Sequence, residues 1–195
     1  MQLPQPRTKS TMSLEEALSQ RRSIRAYRPG PVTLDEVSQL LWSAQGITGG
    51  TGVRAAPSAG ATYPLETHIA AGDADGLEPG LYHYEPGSHS LTLVKPGDIR
   101  AELSEASLGQ PCIRNAAAVL ILSAIYERTT ERYGDRGKMY VHIDVGHAAE
   151  NVLLQATALG LGVVPVGAFR TRTIGAMLGF PETQVALYLL PIGRL

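Results

Sequence analysis

The segment Arg54-Ala-Ala-Pro-Ser-Ala-Gly-Ala-Thr-Tyr-Pro64 holds two prolines, one glycine and little larger than a hydroxyl between its arginine and its tyrosine. Such a run can neither propagate a helix nor bury much apolar surface. It closes a stretch from Ile47 to Pro64 that shows no hydrophobic periodicity at all. A loop of that length inside a compact domain marks a functional element. The patterns on either side of it decide the fold.

Upstream, Ser13 followed by Glu16 is a capping box, which predicts a helix from Leu14 to about Arg22. Thr33 and Glu36 repeat the signature and open a helix through Val37, Leu40, Leu41 and Ala44, closed by Gly46. Downstream, Leu65–Ala71, Gly80–Tyr84 and Leu91–Val94 read as strands, the last two joined by a turn at Pro86-Gly87. A helical pattern returns near Ile99–Ala106, and the apolar run Ala117–Ala124 reads as a buried strand. A short polar helix follows over Tyr126–Gly134. Met139, Ile143, Ala148, Val152, Ala156 and Leu159 then mark the longest helix, stopped by Gly160 and Gly162. A strand over Val163–Phe169, a helix over Thr173–Leu178 and a strand over Val185–Ile192 complete the chain. Helices toward both ends, with strands mostly between and after them, predict an α+β sandwich: one domain over residues 13–195, preceded by a flexible segment 1–12.

Composition narrows the function. A chain of 195 residues with 44% hydrophobic and 18% charged residues can build a core, and its net charge of −1 argues against nucleic-acid binding through bulk charge. The first residues lack the apolar stretch of a signal peptide, and no apolar run is long enough to cross a bilayer. The single cysteine, Cys112, cannot form an internal disulfide and suits a reducing, cytoplasmic setting.

Chemistry concentrates in a few places. Arg21, Arg22, Arg25 and Arg28 fall within eight residues, with Ser23 among them. Guanidinium forks and a hydroxyl suit phosphate oxygens, and the same arginines also suit a solvated helix end. Neither a G-x-x-x-x-G-K nor a G-x-G-x-x-G loop is present, which sets aside the common nucleotide folds. His142 and His147 stand five apart, off the spacing that puts two ligands on one helix face, so no metal site is expected. No G-x-S-x-G elbow occurs, and Cys112 beside Pro111 reads as core filler. The basic cluster, the small-residue loop and the tight segment Gly160-Leu-Gly-Val-Val-Pro-Val-Gly167 remain. Small residues let backbone lie close to a flat ligand, and a phosphorylated planar cofactor is one ligand that fits. Tyr63, Tyr82 and Tyr84 are candidates to line a pocket over it, although Tyr82 and Tyr84 alternate as one strand face would.

The ordered segments S-L-E-E-A-L-x-x-R-R-S-I-R, L-L-W-S-A-Q-G-I-T, R-A-A-P-S-A-G-A-T-Y-P-L-E, G-L-Y-H-Y, E-R-Y-G-D-R-G, D-V-G-H-A-A-E-N-V-L-L-Q-A-T-A-L-G-L-G and L-P-I-G-R span nearly the whole chain. Together they resemble the FMN-dependent nitroreductase superfamily, and within it the SagB-type dehydrogenase branch. The resemblance implies a nitroreductase-like α/β sandwich, its central, mostly antiparallel sheet flanked by helices and completed as a homodimer with flavin at the interface. It implies that Arg21, Arg22, Ser23 and Arg25 hold the FMN phosphate and ribityl chain, with Arg194 contacting the phosphate. Pro57, Ser58, Ala59 and Gly60 would reach the partner's flavin, and Pro165, Val166 and Gly167 would lie at the flavin ring near N5. Azoline oxidases of this branch resemble a Lys-Tyr pair where this chain has Arg132 and Tyr133, the candidate catalytic residues. An arginine cannot serve as their general base, whereas Tyr133 can donate a proton. The implied activity is ping-pong hydride transfer to or from a small or peptide-derived substrate, with NAD(P)H as a reductant. A flavin-binding subunit without turnover, or a phosphate-ligand module without redox chemistry, fits the same residues.

Overall fold

The computed structural model describes residues 1–50 and 52–195. The first half runs α1 (Leu14–Gln20), β1 (Val32–Thr33), α2 (Leu34–Gln45), β2 (Leu65–Ala71), β3 (Ala74–Asp75), β4 (Gly80–Glu85) and β5 (Ser90–Pro96). The second half runs α3 (Arg100–Ala106), α4 (Pro111–Arg114), β6 (Ala118–Ile125), α5 (Glu127–Tyr133), α6 (Arg136–Ala158), β7 (Leu161–Val163), α7 (Thr171–Leu178) and β8 (Gln184–Arg194). Six strands form one sheet in the order β5-β4-β2-β6-β8-β7, every neighbouring pair antiparallel. The expected α+β sandwich is therefore present.

Period-two alternation along β6 assigns the two faces. Leu120 and Leu122 enter a core closed by Leu40 and Leu41 of α2 and by Val141, Val145, Ala148 and Val152 of α6. Val119 and Ile121 enter a second core with Leu103 of α3, Cys112 and Ile113 of α4, and Ile174 and Leu178 of α7. A central strand buried on both faces has to read as a continuous apolar run, and this one does.

Both capping boxes close as their spacing predicts: Ser13 Oγ accepts from the Glu16 N–H and Glu16 accepts from the Ser13 N–H, with Thr33 and Glu36 doing the same. The strand expected over Val163–Phe169 is shorter. Regular pairing with β8 covers only Leu161–Val163, after which Val166 rejoins β8 alone opposite Leu189. Pro165 has no N–H to give the ladder, so pairing lapses around it. The first residues are not a free tail either. Leu3 is buried, its N–H donates to His89 (3.1 Å), and the Leu91 N–H donates to Met1 (2.8 Å). Gln39 of α2 then grips both the N–H and the carbonyl of Arg7. Leu3 supplies an apolar anchor, and the docked segment covers the outer edge of β5. Tyr82 and Tyr84 face the core, where their hydroxyls donate to the Glu78 carbonyl and pair with His89. They are packing residues.

On the α7 side of the sheet, His83 bridges two carboxylates, Glu66 (2.7 Å) and Glu85 (2.8 Å), while Glu66 also pairs with Arg128 of α5 (2.5 Å). Burial alone would raise the Glu66 carboxyl, but hydrogen bonds from His83 and Arg128 pull it down to about 2. The Glu66 hydrogen bond raises His83 above its ordinary 6.5, against the opposing effect of burial. Its stabilising effect is therefore complete below pH 6.5 and fades as pH rises through the higher folded value. His83→Gln should flatten the loss of stability as pH rises above 6.5 in urea unfolding curves recorded at a series of pH values.

Candidate active site

The arginine segment lies on the sheet as an extra, irregular strand. Ser23 bridges Val163 in parallel, the Ile24 N–H donates to the Val163 carbonyl (3.0 Å), and the Arg28 N–H donates to the Arg194 carbonyl (3.0 Å). Two glycines that face each other across β7 and β8, Gly162 and Gly193, make that contact possible. A Cβ on Gly162 would meet Ile24 Cγ2 at 2.7 Å, and one on Gly193 would meet the Tyr27 ring at 2.5 Å. At these two positions small size admits protein side chains. Ile24 and Tyr27 turn inward, while Arg22, Ser23 and Arg25 stay exposed.

The arginines do not all share one task. Arg22 Nη1 donates to the Ser19 and Arg21 carbonyls and so caps α1. Arg21 sits 3.9 Å from Glu150 of α6, and Arg25 lies within electrostatic reach of Cys112 and Tyr27. Arg194 is committed elsewhere: it pairs both ways with Glu36 (2.6 and 2.8 Å) and donates from Nε to the Pro31 carbonyl. Glu36 is already fixed by its capping box, and a bidentate pair with a fixed, shielded carboxylate is stronger than a solvent-facing role. In the turn after β7, the Val166 N–H goes to the Leu189 carbonyl (2.8 Å), whereas Gly167 is exposed and presents no side chain. An exposed run of guanidinium groups and a hydroxyl beside a turn with an uncovered glycine matches the needs of a phosphate-bearing planar cofactor.

The small-residue loop is held by side chains of α5 and α6. Asn151 holds the Ala55 carbonyl (3.3 Å), Asp144 accepts the Ala59 N–H (3.3 Å), Arg132 donates to the Gly60 carbonyl (3.1 Å) and Arg128 donates to the Tyr63 carbonyl (3.2 Å). Thr62 pairs with Thr129 (2.8 Å), and the Arg54 guanidinium covers the Tyr63 ring at 4.6 Å. These restraints hold a backbone with positive φ at Gly60 (59°), Ala61 (54°) and Tyr63 (45°), a costly conformation for the two non-glycine residues. On α6, Asn151, which holds the start of the loop, directly follows Glu150, which faces Arg21.

Arg132 and Tyr133 do meet the loop, because the α5–α6 hairpin packs over it. A Cβ on Gly60 would overlap the Tyr133 hydroxyl and lie 2.9 Å from Arg132 Nη1. Beside it, Pro57, Ser58, Ala59, Tyr140, Ile143, Asp144 and His147 line a shallow groove of about 290 Å³. Burial pushes the Asp144 carboxyl up, while Ser58, the Ala59 N–H and His147 pull the other way. Residue types alone singled out neither Asp144 nor Arg128, whereas Asn151 stood out as a polar residue of the long helix. The available signal was a pair of polar side chains, seven residues apart, in the apolar stripe of the long helix. Among the described residues no cluster of metal-ligating side chains occurs, and no helix is long and apolar enough to cross a membrane.

An antiparallel α+β sandwich with a basic, hydroxyl-bearing strand at one edge and a strapped small-residue loop on its long helix defines the structural class. The model of the Nitroreductase family matches residues 18–194, and the chain belongs to that family and is an oxidoreductase. A protein named as a nitroreductase in Methanocaldococcus jannaschii is 48% identical over 183 residues, covering 94% of this chain and 91% of that one. The trifolitoxin-processing protein TfxB of Rhizobium leguminosarum bv. trifolii is 31% identical over 150 residues, which is 70% of this chain but only 40% of that protein. A crystal structure described as a nitroreductase from Ralstonia eutropha superposes with a TM-score of 0.86 at 30% identity, covering 98% of this chain and 87% of that one.

Gly60→Ala should destabilise the protein by about 1–3 kcal/mol, because left-handed backbone and overlap with Tyr133 act together. Thermal unfolding should show the midpoint lowered by several degrees.

Proposed function

We propose that the chain is an FMN-dependent oxidoreductase of the SagB-type branch, working by ping-pong hydride transfer as a homodimer. The observation that carries this reading is the exposed Arg22, Ser23 and Arg25 edge lying against β7, one turn from the uncovered Gly167. Bound FMN supplies a ring that takes up and releases hydride at N5. Arg21, Arg22, Arg25 and Ser23 bind its phosphate and ribityl chain, and Pro165 and Gly167 offer backbone at the ring. Of the turn residues expected there, Val166 contributes position but no N–H, and Arg194 steadies the segment through Glu36.

Pro57, Ser58, Ala59 and Gly60 meet the flavin of the second subunit. Leu14 and Leu18 on α1 and Met139 and Ile143 on α6 are exposed apolar side chains suited to that interface. The likeness to a trifolitoxin-processing protein supports a peptide-derived substrate. NAD(P)H is the reductant if the enzyme runs as a nitro- or quinone reductase, and a cytoplasmic location accords with either direction. Arg132 stays charged and holds the Gly60 carbonyl, so proton donation near the substrate falls to Tyr133. The lack of a base at position 132 favours, as second reading, a flavin-binding subunit of a biosynthetic complex.

The purified protein should be yellow, and NADH, NADPH or an azoline substrate should bleach it anaerobically. A yellow protein that none of them bleaches supports the second reading, and one that takes up no FMN ends both. Arg22→Ala should weaken FMN binding about 10- to 100-fold, the loss of one charge-assisted hydrogen bond. Fluorescence titration with FMN measures this, and gel filtration should show a dimer.

A further inference from the structure

We propose that the space beneath the strap formed by residues 8–12, walled by Trp42 and Gln155, is a binding site for a flat aromatic anion. The strap bridges two fixed points. At one end Gln39 of α2 holds the Arg7 backbone, and at the other Ser13 caps α1. Between them it is largely exposed and turns on a local bond from the Met12 N–H to Ser10 Oγ (3.2 Å). Under it lies a cavity of about 430 Å³, lined by Arg7 and Lys9, by Gln39 and Trp42 of α2, and by Gln155 and Leu159 at the end of α6. That volume suits one small molecule.

The chemistry of the lining is one-sided. Gln39 is 4% exposed, and its amide has one orientation, because Oε1 accepts the Arg7 N–H (2.8 Å) and Nε2 donates to the Arg7 carbonyl (3.1 Å). The second hydrogen on Nε2 goes to Gln155 at 3.0 Å. The atom that receives it has to be the Gln155 oxygen, so the Gln155 NH2 is left to face the cavity. Arg7 and Lys9 add two cations, neither of them in an ion pair among the described residues. None of the lining side chains is acidic. Such a set favours a carboxylate or a phosphate and disfavours a cation.

Trp42 supplies a flat wall. A Cβ on Gly46 would press into the indole at Cγ (2.6 Å), so the bare glycine seats the ring in one position. A planar ring stacked on that indole, with its anionic group toward Gln155 and the two cations, uses both halves of the cavity. The site is independent of any flavin: residues of the arginine segment and of the small-residue loop take no part in its lining.

Trp42 is the single tryptophan of the chain, so its fluorescence reports this cavity alone. Titrating the purified full-length protein, with whatever flavin it carries, against benzoate or phenyl phosphate should change that fluorescence saturably, with calorimetry giving the same affinity. Benzamide, the neutral isostere, and cyclohexanecarboxylate, the non-planar anion, should each bind about tenfold more weakly than benzoate. Arg7→Ala combined with Lys9→Ala should weaken benzoate about tenfold or more, and the strap stays docked because Gln39 holds Arg7 through its backbone. Gln155→Glu keeps an oxygen for Gln39 Nε2 but sets a negative charge where the NH2 was. Benzoate binding should then be lost, while benzamide, whose own NH2 can donate to the new carboxylate, still binds and shows the cavity intact.

No saturable change with either anion, equal affinity for benzamide or cyclohexanecarboxylate, or wild-type benzoate affinity in Gln155→Glu would each overturn the proposal. So would benzoate that alters the visible spectrum of bound flavin and leaves Trp42 unperturbed.

Discussion

The α6 helix lies along one face of the sheet and buries Val141, Val145, Ala148, Val152 and Ala156 against it. Burial of each valine contributes on the order of 1.5–3 kcal/mol. The alanines in the stripe let the helix axis approach the strands closely. Because that seam is rigid, the polar side chains it carries have fixed positions. Asp144, Asn151 and Glu150 leave the same helix to hold, respectively, the middle of the small-residue loop, its beginning, and the side chain of Arg21. A shift of α6 would move all three at once.

The second consequence of that seam is strain kept in place. Left-handed backbone at Ala61 and Tyr63 costs free energy that local interactions do not recover. Side chains from α5 and α6 over-determine the conformation: arginine forks hold the Gly60 and Tyr63 carbonyls, and a buried carboxylate holds the Ala59 N–H. Arg132 and Tyr133 thus act first on the shape of the loop. The Glu66–His83 pair extends the restraint to the far face of the sheet, since Glu66 orients Arg128.

Much of this was legible in the sequence because it depends on neighbours along the chain. Capping boxes close over three residues, and a strand buried on both faces has to be uniformly apolar, so α1, α2 and β6 were found close to their observed bounds. The basic segment and the small-residue loop stood out by composition and by resemblance. Other features depend on contacts between distant segments and left little local trace. Gly162 and Gly193 are small so that Ile24 and Tyr27 can pack, which nothing near either glycine announces. Arg194 turns to Glu36, 158 positions away. The docking of Leu3 on the strand edge hides in a segment that otherwise reads as a loose tail.

The sequence by itself determined the class of fold, the order of its elements and the residue types available for binding a phosphate and a flat ring. Those follow from periodicity, capping and donor chemistry, which are properties of short stretches. Only the tertiary structure decided which partners the arginines take, which backbone amides are already paired, and that side chains of α5 and α6 hold the small-residue loop. Hydrogen-bond donors and acceptors are committed one to one. Which partner each one takes is settled by proximity in the folded chain, a quantity no local pattern contains.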